Sequence, residues 1–491
     1  MTATDPRALC IIGVAQHTTP PPGPAPEPLD SWEQVARAAA EDAGAPDALG
    51  ASGSLQIVYC QSWQYDDPTA RLADRIGAAP GHRFYSGIGG TTPQLMLGDT
   101  AVAMQAGEYD LALLVSAEAL ATKRAAKRNG EKLQWSHKET VRSPYPWEPP
   151  PAVELNHEVF QAWETFPLWD TARRAARGTS LEDYDRANAE MMSGLSQVAA
   201  RNPHAWDQTA LTAADIGDPV GRNRYIGWPY TKREVSVMDV DMAAALLVCT
   251  TERADSLGIA ADKRIYLNSS AYAEDPAGIA ERADLARSAA MAVASKAALD
   301  AAGVTTADLT LLDIYSCFPS SVNLACDALG IDPLDPRGLT VTGGLPYAGG
   351  AASAYLMHAI ATAVQMLRTQ AGTALITGVG MHLQKHVFAV YSNRPGFTAT
   401  PTADLQAAVE AQQARRPLVD SYDGAATVAA YTVAHDRDNQ PTVGLVVLDV
   451  PEGRTLARVH DGGLLADAES RELVGQTVTV TTDGTKNEAK W

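Results

Sequence analysis

Hydrophobic and polar positions recur in blocks along the chain. Residues 35–63 run from an alanine-rich segment of helical spacing, through a glycine and a polar loop, into the apolar run 55–60. Residues 294–319 repeat this order and end in the apolar run 311–317. Short apolar runs that alternate with helical segments are typical of a buried, mainly parallel sheet covered by helices. The pattern therefore predicts an α/β fold.

These blocks belong to an internal duplication. A second pair of segments opens with a glycine pair and continues through a helical segment into an apolar strand, and a third pair is formed by the opening strands 8–15 and 264–269. Equivalent positions are separated by nearly the same number of residues: 259 for Gly44 and Gly303, 260 for Gly90 and Gly350, and 262 for Leu113 and Leu375. Unrelated βα units would not keep this offset. The chain is therefore predicted to contain two βαβαβ halves.

A long insertion interrupts the first half. It is rich in tryptophan, proline and charge, includes the run SPYPWEPPP at 143–151, and has helical stretches at 153–176 and 181–200. Long insertions in compact α/β units are usually functional, so we interpret it as a lid that shapes a substrate site. The strand 237–249 returns to the first half. The predicted domains are the N-terminal half (1–119 and 233–262), the lid (120–232), the C-terminal half (263–400) and a β domain (415–491).

The β domain contains short strands separated by turn residues, at 427–434, 442–450, 454–460 and 477–481. With one short helix, this pattern predicts a small OB-like barrel, one strand of which the sequence does not locate. Stacking aromatic residues and a basic stripe are missing, so a docking or structural role is expected instead of nucleic-acid binding. The final run DGTKNEAKW is predicted to be disordered.

The net charge and the cysteine content limit the kinds of binding partner and the cellular location that are expected. A net charge of −19 disfavours nucleic-acid and membrane partners. The basic run 123–132 (KRAAKRNGEK) is interpreted as a solvated face, with contact to an anionic cofactor as the alternative. The five cysteines are far apart and form no CxxC motif, which indicates no disulfide framework, no metal site and a reducing, cytoplasmic location. No signal peptide or membrane-spanning run is recognised.

Several motifs give the chain a resemblance to the thiolase superfamily. Residues 313–318 (DIYSCF) resemble the His-Asp-Cys-Phe motif of the sterol-carrier-protein type of thiolase, and 343–350 (GGLPYAGG) resemble the loop that normally ends in Gly-His-Pro. The appended domain is similar to that of thiolase-like proteins of type 1, often labelled acetyl-CoA acetyltransferases. The resemblance covers about residues 8–395. It implies a thiolase fold of two duplicated halves with an inserted lid and a small C-terminal β-barrel.

The resemblance also implies a missing nucleophile. A thiolase needs a thiolate at a helix N-terminus, an oxyanion hole and a second acid or base. The family's Cys-x-Ser-Gly falls on residues 87–90, so Gly87 stands at the position of the nucleophile. A slip of one residue would offer Ser86, for which no adjacent base is identified. Glycine cannot form an acyl-enzyme, so covalent thiolase activity is doubtful.

Other residues at matching positions form the predicted site. Tyr315 and Gly350 stand where thiolases have histidines, and Tyr347 lies three residues before Gly350. Phenols can donate hydrogen bonds to a carbonyl group, although Tyr315 is equally well explained as a packed residue at the end of a strand. Cys317 matches the acid/base cysteine of the resembled subclass. His382, in what corresponds to the last catalytic loop, is the fourth candidate.

The glycine loops are predicted to bind the ligand through backbone N–H groups near helix N-termini. Their residues are Gly87, Gly89, Gly90, Gly349 and Gly350. The ligand that the resemblance implies is a coenzyme A thioester, as substrate or ligand, with no tightly bound cofactor and no metal.

Three functions remain open. The first is an acyl-CoA-binding, acyltransferase-family protein of lipid or steroid metabolism. The second is a retro-aldol lyase that acts on a β-hydroxyacyl-CoA with Tyr315 and Tyr347. The third is a non-catalytic scaffold. Whether the chain is an enzyme, a homodimer or the partner of another acyl-CoA protein is left open by the sequence.

Overall fold

The computed structural model describes residues 5–21, 23–139, 150–396, 398–399 and 402–491. Most of the proline-rich run 143–151 and the predicted boundary at residue 400 lie outside these residues. The N-terminal half opens with β1 (Leu9–Thr18), α1 (Pro28–Asp42), β2 (Ser54–Ile57), α2 (Pro68–Ile76), β3 (His82–Tyr85), α3 (Thr92–Ala106) and β4 (Leu111–Ala119).

The inserted lid is built from short helices and one hairpin. Its elements are α4 (Leu120–Asn129), α5 (Ala152–Asn156), α6 (Ala162–Arg177), α7 (Leu181–Ala199), α8 (Ala213–Gly217), β5 (Tyr225–Trp228) and β6 (Tyr230–Thr231). The predicted helix at 153–176 is therefore two helices. The chain then returns to the core through β7 (Asp241–Thr250) and α9 (Thr251–Ser256).

The C-terminal half repeats the order of the first. Its elements are β8 (Ile265–Glu274), α10 (Ala289–Ala302), β9 (Leu311–Asp313), α11 (Pro319–Leu329), α12 (Tyr355–Thr369), β10 (Thr373–Gly380), β11 (Lys385–Ser392), β12 (Thr398–Ala399) and α13 (Thr402–Gln412). No helix among the described residues is long and apolar enough to cross a membrane.

Both halves contribute to one sheet, which runs β3-β2-β4-β7-β1-β8-β11-β10-β9, with β12 beside β8. The order of pairing outward from the centre is the same in both halves, as the duplication predicts. The halves meet where β1 pairs antiparallel with β8 at Cys10 and Tyr266. The two duplicated halves predicted from the sequence are thereby confirmed.

The sheet is mixed, not mainly parallel as the pattern predicted. Strand β7 is antiparallel to both β1 and β4, and β11 is antiparallel to both β8 and β10. The sequence analysis placed His382 in a catalytic loop, but β11 begins at Lys385 after a four-residue turn in which Met381 and Leu383 have positive φ. A tight turn makes the following strand antiparallel, whereas a parallel strand needs a long crossover.

The C-terminal strands close into a barrel of five. They are β13 (Gly424–His435), β14 (Pro441–Val450), β15 (Gly453–Val459), β16 (Thr477–Thr482) and β17 (Asn487–Lys490), with helix α14 (Gly462–Ser470) between β15 and β16. The prediction of a disordered tail was wrong, because the tail supplies β17, the strand that the sequence did not locate. It pairs with β15 and β16, and the indole Nε1 of Trp491 donates to Asp467 at 2.7 Å.

The barrel and the lid share a sheet. Strand β13 pairs with β5 of the lid hairpin at Val433 and Trp228. The buried guanidinium of Arg174, on α6, donates to Glu472 and to the hydroxyl of Tyr431, both of the barrel. The lid is thus held between the barrel and the C-terminal half.

Candidate functional site

The thiolase-like centre lies around Gly90, directly before helix α3. A Cβ atom added at Gly90 would lie 2.1 Å from the carbonyl oxygen of Val379 and 2.4 Å from the hydroxyl of Tyr315. Both distances are far inside van der Waals contact. Tyr315 therefore fills the space that a side chain at position 90 would need.

The start of α3 identifies which position could activate a thiol. The N-cap of α3 is Thr91, and Gly87 lies four residues before it. Helix dipole and free N–H groups act only close to the first turn, so this chemistry points to Gly90. The assignment of Gly87 stays a prediction. Ser86 is already engaged, because its hydroxyl accepts from the Tyr59 N–H at 2.8 Å and donates to the Gly87 carbonyl at 3.0 Å.

Tyr315 and Cys317 are brought together at this centre. The Tyr315 ring packs edge-on against Tyr355, with ring centroids 5.4 Å apart. Burial, and secondarily the nearby Cys317, raises the pKa of Tyr315 well above its usual value. Burial also raises the pKa of Cys317 to about 12, against a weaker opposing effect of the Ser321 hydroxyl 3.7 Å away. A protonated thiol is a poor nucleophile, so neither group is set up for covalent attack at neutral pH.

Tyr347 lies in different surroundings. It belongs to a π-helical turn, Leu345–Gly349, that is bonded by the lid and by the segment that follows the lid. The Asp207 N–H donates to the Tyr347 carbonyl at 2.9 Å, and the Val237 N–H donates to the Leu345 carbonyl at 3.3 Å. This turn is where the GGLPYAGG motif meets the lid.

A cleft of about 280 Å³ opens beside this turn. Its apolar walls come from Leu211, Val220, Val237 and Pro346, and its polar groups are Asp207, Thr209, Arg222, Asn223, Lys232, Arg233 and Tyr347. Among the described residues, none of the three cations forms an ion pair with a side chain; Arg233 donates to the carbonyl of Asp215 at 2.7 Å. The cleft thus combines apolar walls with three cations that form no ion pair among the described residues and with one carboxylate, that of Asp207.

Tyr347 lines this cleft, and its buried hydroxyl has no hydrogen-bond partner among the described residues. A buried polar group without a partner costs about 1–3 kcal/mol. Burial, and then the nearby Glu234, raises the pKa of Tyr347 well above its usual value, against a smaller opposing effect of Arg233. The phenol therefore stays protonated and is available as a donor to a ligand.

The two predicted tyrosines face different groups. The Tyr315 hydroxyl lies at Gly90 and Val379, whereas the pKa of Tyr347 responds to Asp207, Arg233 and Glu234. A retro-aldol mechanism that uses both phenols on one substrate gains no support from this arrangement.

His382 lies apart from both places. Its Nδ1 is 2.9 Å from the Thr165 hydroxyl of the lid helix α6, and burial, together with Arg282, lowers its pKa to about 4. It is therefore a neutral residue that contacts the lid at neutral pH. Its proposed catalytic role stays a prediction.

The glycine loops are tightly packed. The Gly89 N–H donates to the Ser353 hydroxyl at 3.0 Å, and the Gly350 N–H donates to the Val237 carbonyl at 2.9 Å. A Cβ on Gly349 would lie 2.6 Å from the sulfur of Met242. The N–H groups of Gly89 and Gly350 are thus occupied, while ligand binding by Gly87, Gly90 and Gly349 stays a prediction.

The sequence analysis missed the three cations of the cleft. Lys232 and Arg233 follow the lid hairpin, and Arg222 precedes it. The signal was present as the basic pair after YIGWPYT, but the pattern gave no indication that this pair meets Tyr347. No group of three or more His, Cys, Asp or Glu side chains in the described ranges is arranged to hold a metal ion.

Glu234 makes the lid sensitive to pH. Burial raises its pKa from 4.5 to about 8, although the Thr231 N–H donates to its carboxyl at 2.8 Å. The folded state thus favours the protonated acid, so this stabilisation is complete below pH 4.5 and is lost as pH rises towards 8.

The free energy of unfolding should fall between pH 5 and pH 8 by at least about 1 kcal/mol more in the wild type than in Glu234→Gln. Urea titrations at both pH values measure this, with exposed Glu182→Gln as the control. Equal pH slopes in all three proteins would contradict it.

Comparison with known proteins identifies similar sequences and structures. Residues 404–485 match the model of the thiolase-like protein type 1 additional C-terminal domain. Among solved structures, a monomeric SCP2-thiolase like protein type 1 from Mycobacterium smegmatis is 30% identical, with 99% of this chain and 100% of that chain covered and a TM-score of 0.87. No protein of curated function matches the chain.

More distant structures share the fold. The Ltp2-ChsH2(DUF35) aldolase is 16% identical over 79% of this chain and 99% of that chain, with a TM-score of 0.61. The dimeric peroxisomal thiolase of Saccharomyces cerevisiae is 12% identical over 80% of this chain and 99% of that chain, with a TM-score of 0.58. The full-length match at 30% identity and the appended domain together lead to one conclusion: the chain belongs to the family of SCP2-thiolase-like proteins of type 1.

Proposed function

We propose that the chain binds a coenzyme A thioester without being acylated by it. The observation that carries the proposal is the cleft that Tyr347, whose buried hydroxyl has no partner among the described residues, lines together with the cations Arg222, Lys232 and Arg233. Guanidinium and ammonium groups bind phosphate oxygens, and a phenol donates to the oxygen of a carbonyl or amide. The apolar walls suit the acyl or pantetheine portion.

The size of the cleft suits one portion of such a ligand. Pockets for small molecules usually enclose about 300–1,000 Å³, so a cleft of about 280 Å³ holds part of a coenzyme A thioester and leaves the rest outside. The exposed cations at its rim would meet the phosphate groups of the outer part. Tyr347, at the wall, would meet the inner part.

The absence of acylation follows from the thiolase-like centre. Tyr315 fills the space at Gly90, and burial keeps the Cys317 thiol protonated. A covalent transfer has no thiolate to begin from at this centre. Binding to the cleft does not require one.

The binding test is a calorimetric titration of acetyl-CoA into the wild type, Tyr347→Phe and Lys232→Ala/Arg233→Ala. Loss of a hydrogen bond or of charge-assisted contacts should weaken binding by about 10-fold in each variant. Lys296→Ala, which removes an exposed cation on α10, serves as the matched control and should bind as the wild type does. No binding by the wild type, or equal affinity in all variants, would contradict the proposal.

Tyr347→Phe separates a loss of binding from a loss of folding. Its hydroxyl is buried without a partner, so its removal should leave the free energy of unfolding unchanged or raise it by about 1 kcal/mol. Weaker ligand binding in an equally or more stable protein is the expected signature. Intact-protein mass spectrometry after incubation with acetyl-CoA should show no acetyl adduct, and an adduct on Cys317 would overturn the non-covalent part.

A further inference from the structure

Helix α4 is a basic surface on an acidic protein. Residues 120–138 contain six of the 39 basic residues of the chain and one of its 58 acidic residues. Lys123, Arg124, Lys127 and Arg128 are all exposed and lie within two turns of α4. At about 100° per residue, they share an arc of about 140° on one side of the helix, and the buried Thr122 and Ala126 lie on the opposite side.

Most of this charge is not compensated within the chain. Arg124 pairs with Asp239, and the Lys123 ammonium donates to the Gln61 carbonyl at 3.1 Å. In the part of the chain that the structure describes, Lys127, Arg128 and Lys132 form no ion pair. Exposed cations of this kind contribute little to the stability of the fold, and their charge is available to an anionic partner outside the chain.

The shape of the basic surface favours a macromolecular partner over a small anion. A small anion is held by donors that converge in a concave site, whereas these cations are spread along a convex helix over about 8 Å, at 1.5 Å per residue. Half-buried Trp63 and Trp135 pack against each other with ring centroids 5.4 Å apart, and Lys138 lies over Trp63, two residues after the Gln61 carbonyl that Lys123 contacts. Tryptophan beside cations is typical of the energetic centre of a protein interface.

The basic face also lies close to the cleft. Asp239, the partner of Arg124, is two residues after Val237, which lines the cleft. Two residues of chain span at most about 7 Å. The Arg124 end of the basic face is therefore near one wall of the cleft that Tyr347 and Lys232 also line.

We propose that the basic face of α4 docks a small acidic protein that carries its acyl group as a thioester of a phosphopantetheine arm, and that the arm enters the cleft beside Tyr347. The proposal rests on the proposed function, because the same cleft would receive the thioester. A compact partner meets only the basic face, whereas an extended anionic membrane would also meet the acidic remainder of the surface, beyond the screening length of about 8–10 Å. Charge complementarity therefore favours a protein.

The probe is an acidic acyl carrier protein, prepared without its phosphopantetheine arm and with it. Both forms should bind the wild type in low salt, and Lys127→Glu/Arg128→Glu should weaken both by at least 10-fold. Arg437→Glu/Lys490→Glu makes the same charge change on the barrel and is the matched control. Lys127→Ala/Arg128→Ala, which adds no repulsive charge and favours the helix, should weaken binding in the same direction. Tyr347→Phe should reduce only the additional affinity of the form with the arm.

The outcomes separate the two proposals. If acetyl-CoA fails to bind but the armless carrier binds through α4, the proposed function fails and the docking surface stands. If acetyl-CoA binds and the carrier does not, the docking surface is wrong. Equal carrier affinity in the α4 and barrel variants overturns it as well. The docking surface is also wrong if the wild type does not bind the carrier but binds phosphatidylserine vesicles, and if the α4 variants lose this vesicle binding. Loss of acetyl-CoA affinity in the α4 variants would assign these cations to the coenzyme site and would also overturn it.

Discussion

Replacing Asp170 with alanine should lower the free energy of unfolding by about 3–5 kcal/mol, the usual cost of leaving buried partners of a charge unsatisfied. Asp170 lies on α6 and is 1% exposed. Its carboxylate accepts from the hydroxyls of Tyr230 at 2.6 Å and Tyr184 at 2.7 Å, and from the Asn323 amide at 3.0 Å. These donors come from the lid hairpin, from α7 and from α11. One carboxylate therefore joins the lid to the C-terminal half.

Urea unfolding of Asp170→Ala against the wild type measures this effect. Glu190→Ala, at an exposed position of α7, should change stability by no more than about 0.5 kcal/mol. Since whole domains are stable by only about 5–15 kcal/mol, the loss expected for Asp170→Ala is large enough to expose the lid to proteolysis. A change no larger than that of Glu190→Ala would mean that the network does not hold the lid.

Replacing Gly90 with alanine should destabilise the protein by about 1–3 kcal/mol, the range found for overpacked cores. The added Cβ would lie 2.1 Å from the Val379 carbonyl oxygen, which is backbone and moves only with β10. It would also meet the Tyr315 hydroxyl at 2.4 Å. A shift that removes the clash with one of these groups does not remove the clash with the other, so both the strand and the tyrosine have to move.

Gly194→Ala is the matched control. It lies within α7, and an added Cβ there meets nothing within 4 Å. Alanine in a helix interior is favoured over glycine by about 0.5–1 kcal/mol, so this variant should be more stable than the wild type. Thermal and urea unfolding of the two variants should thus shift in opposite directions. If Gly90→Ala behaves like Gly194→Ala, the space at the thiolase-like centre is open and the argument for its being filled fails.

The same contacts predict the outcome of restoring a cysteine. Gly90→Cys carries the same Cβ as Gly90→Ala, so it should be destabilised by a similar amount. Incubation with acetyl-CoA should still produce no acyl-enzyme, because Tyr315 and the Val379 carbonyl fill the space around the new side chain. An acetylated Cys at position 90 would show that Tyr315 moves aside.

Much of the fold was predictable, because a duplication leaves matching hydrophobic patterns at a constant offset. Two of the strands that the sequence analysis missed show why the rest was not. Strand β11 contains the apolar run VFAVY, but it follows a histidine-containing turn that was interpreted as part of a catalytic loop. Strand β17 is a short, mostly polar segment, and its strand conformation comes from pairing with β15 and β16 on its two sides.

The candidate site was predictable only in part. Tyr315 and Cys317 were singled out from a motif, and they lie together because they are two residues apart at the end of β9. Tyr347 was singled out by the same reasoning but lies beside the lid, since residues 206–207 of the lid and Val237, which follows it, donate hydrogen bonds to the π-helical turn that contains it. Arg222, Lys232 and Arg233 were missed because exposed basic residues look alike in sequence wherever they lie.

The sequence by itself determined the duplicated α/β architecture, the inserted lid and the appended β domain, since each of these is local or periodic along the chain. Only the tertiary structure decided that Tyr315 fills the space at Gly90, that Tyr347 opens onto a basic cleft, and that the lid is shared between the core and the barrel. These features depend on contacts between residues far apart in sequence, and van der Waals contact and charge pairing act over distances of a few ångströms that no linear pattern records.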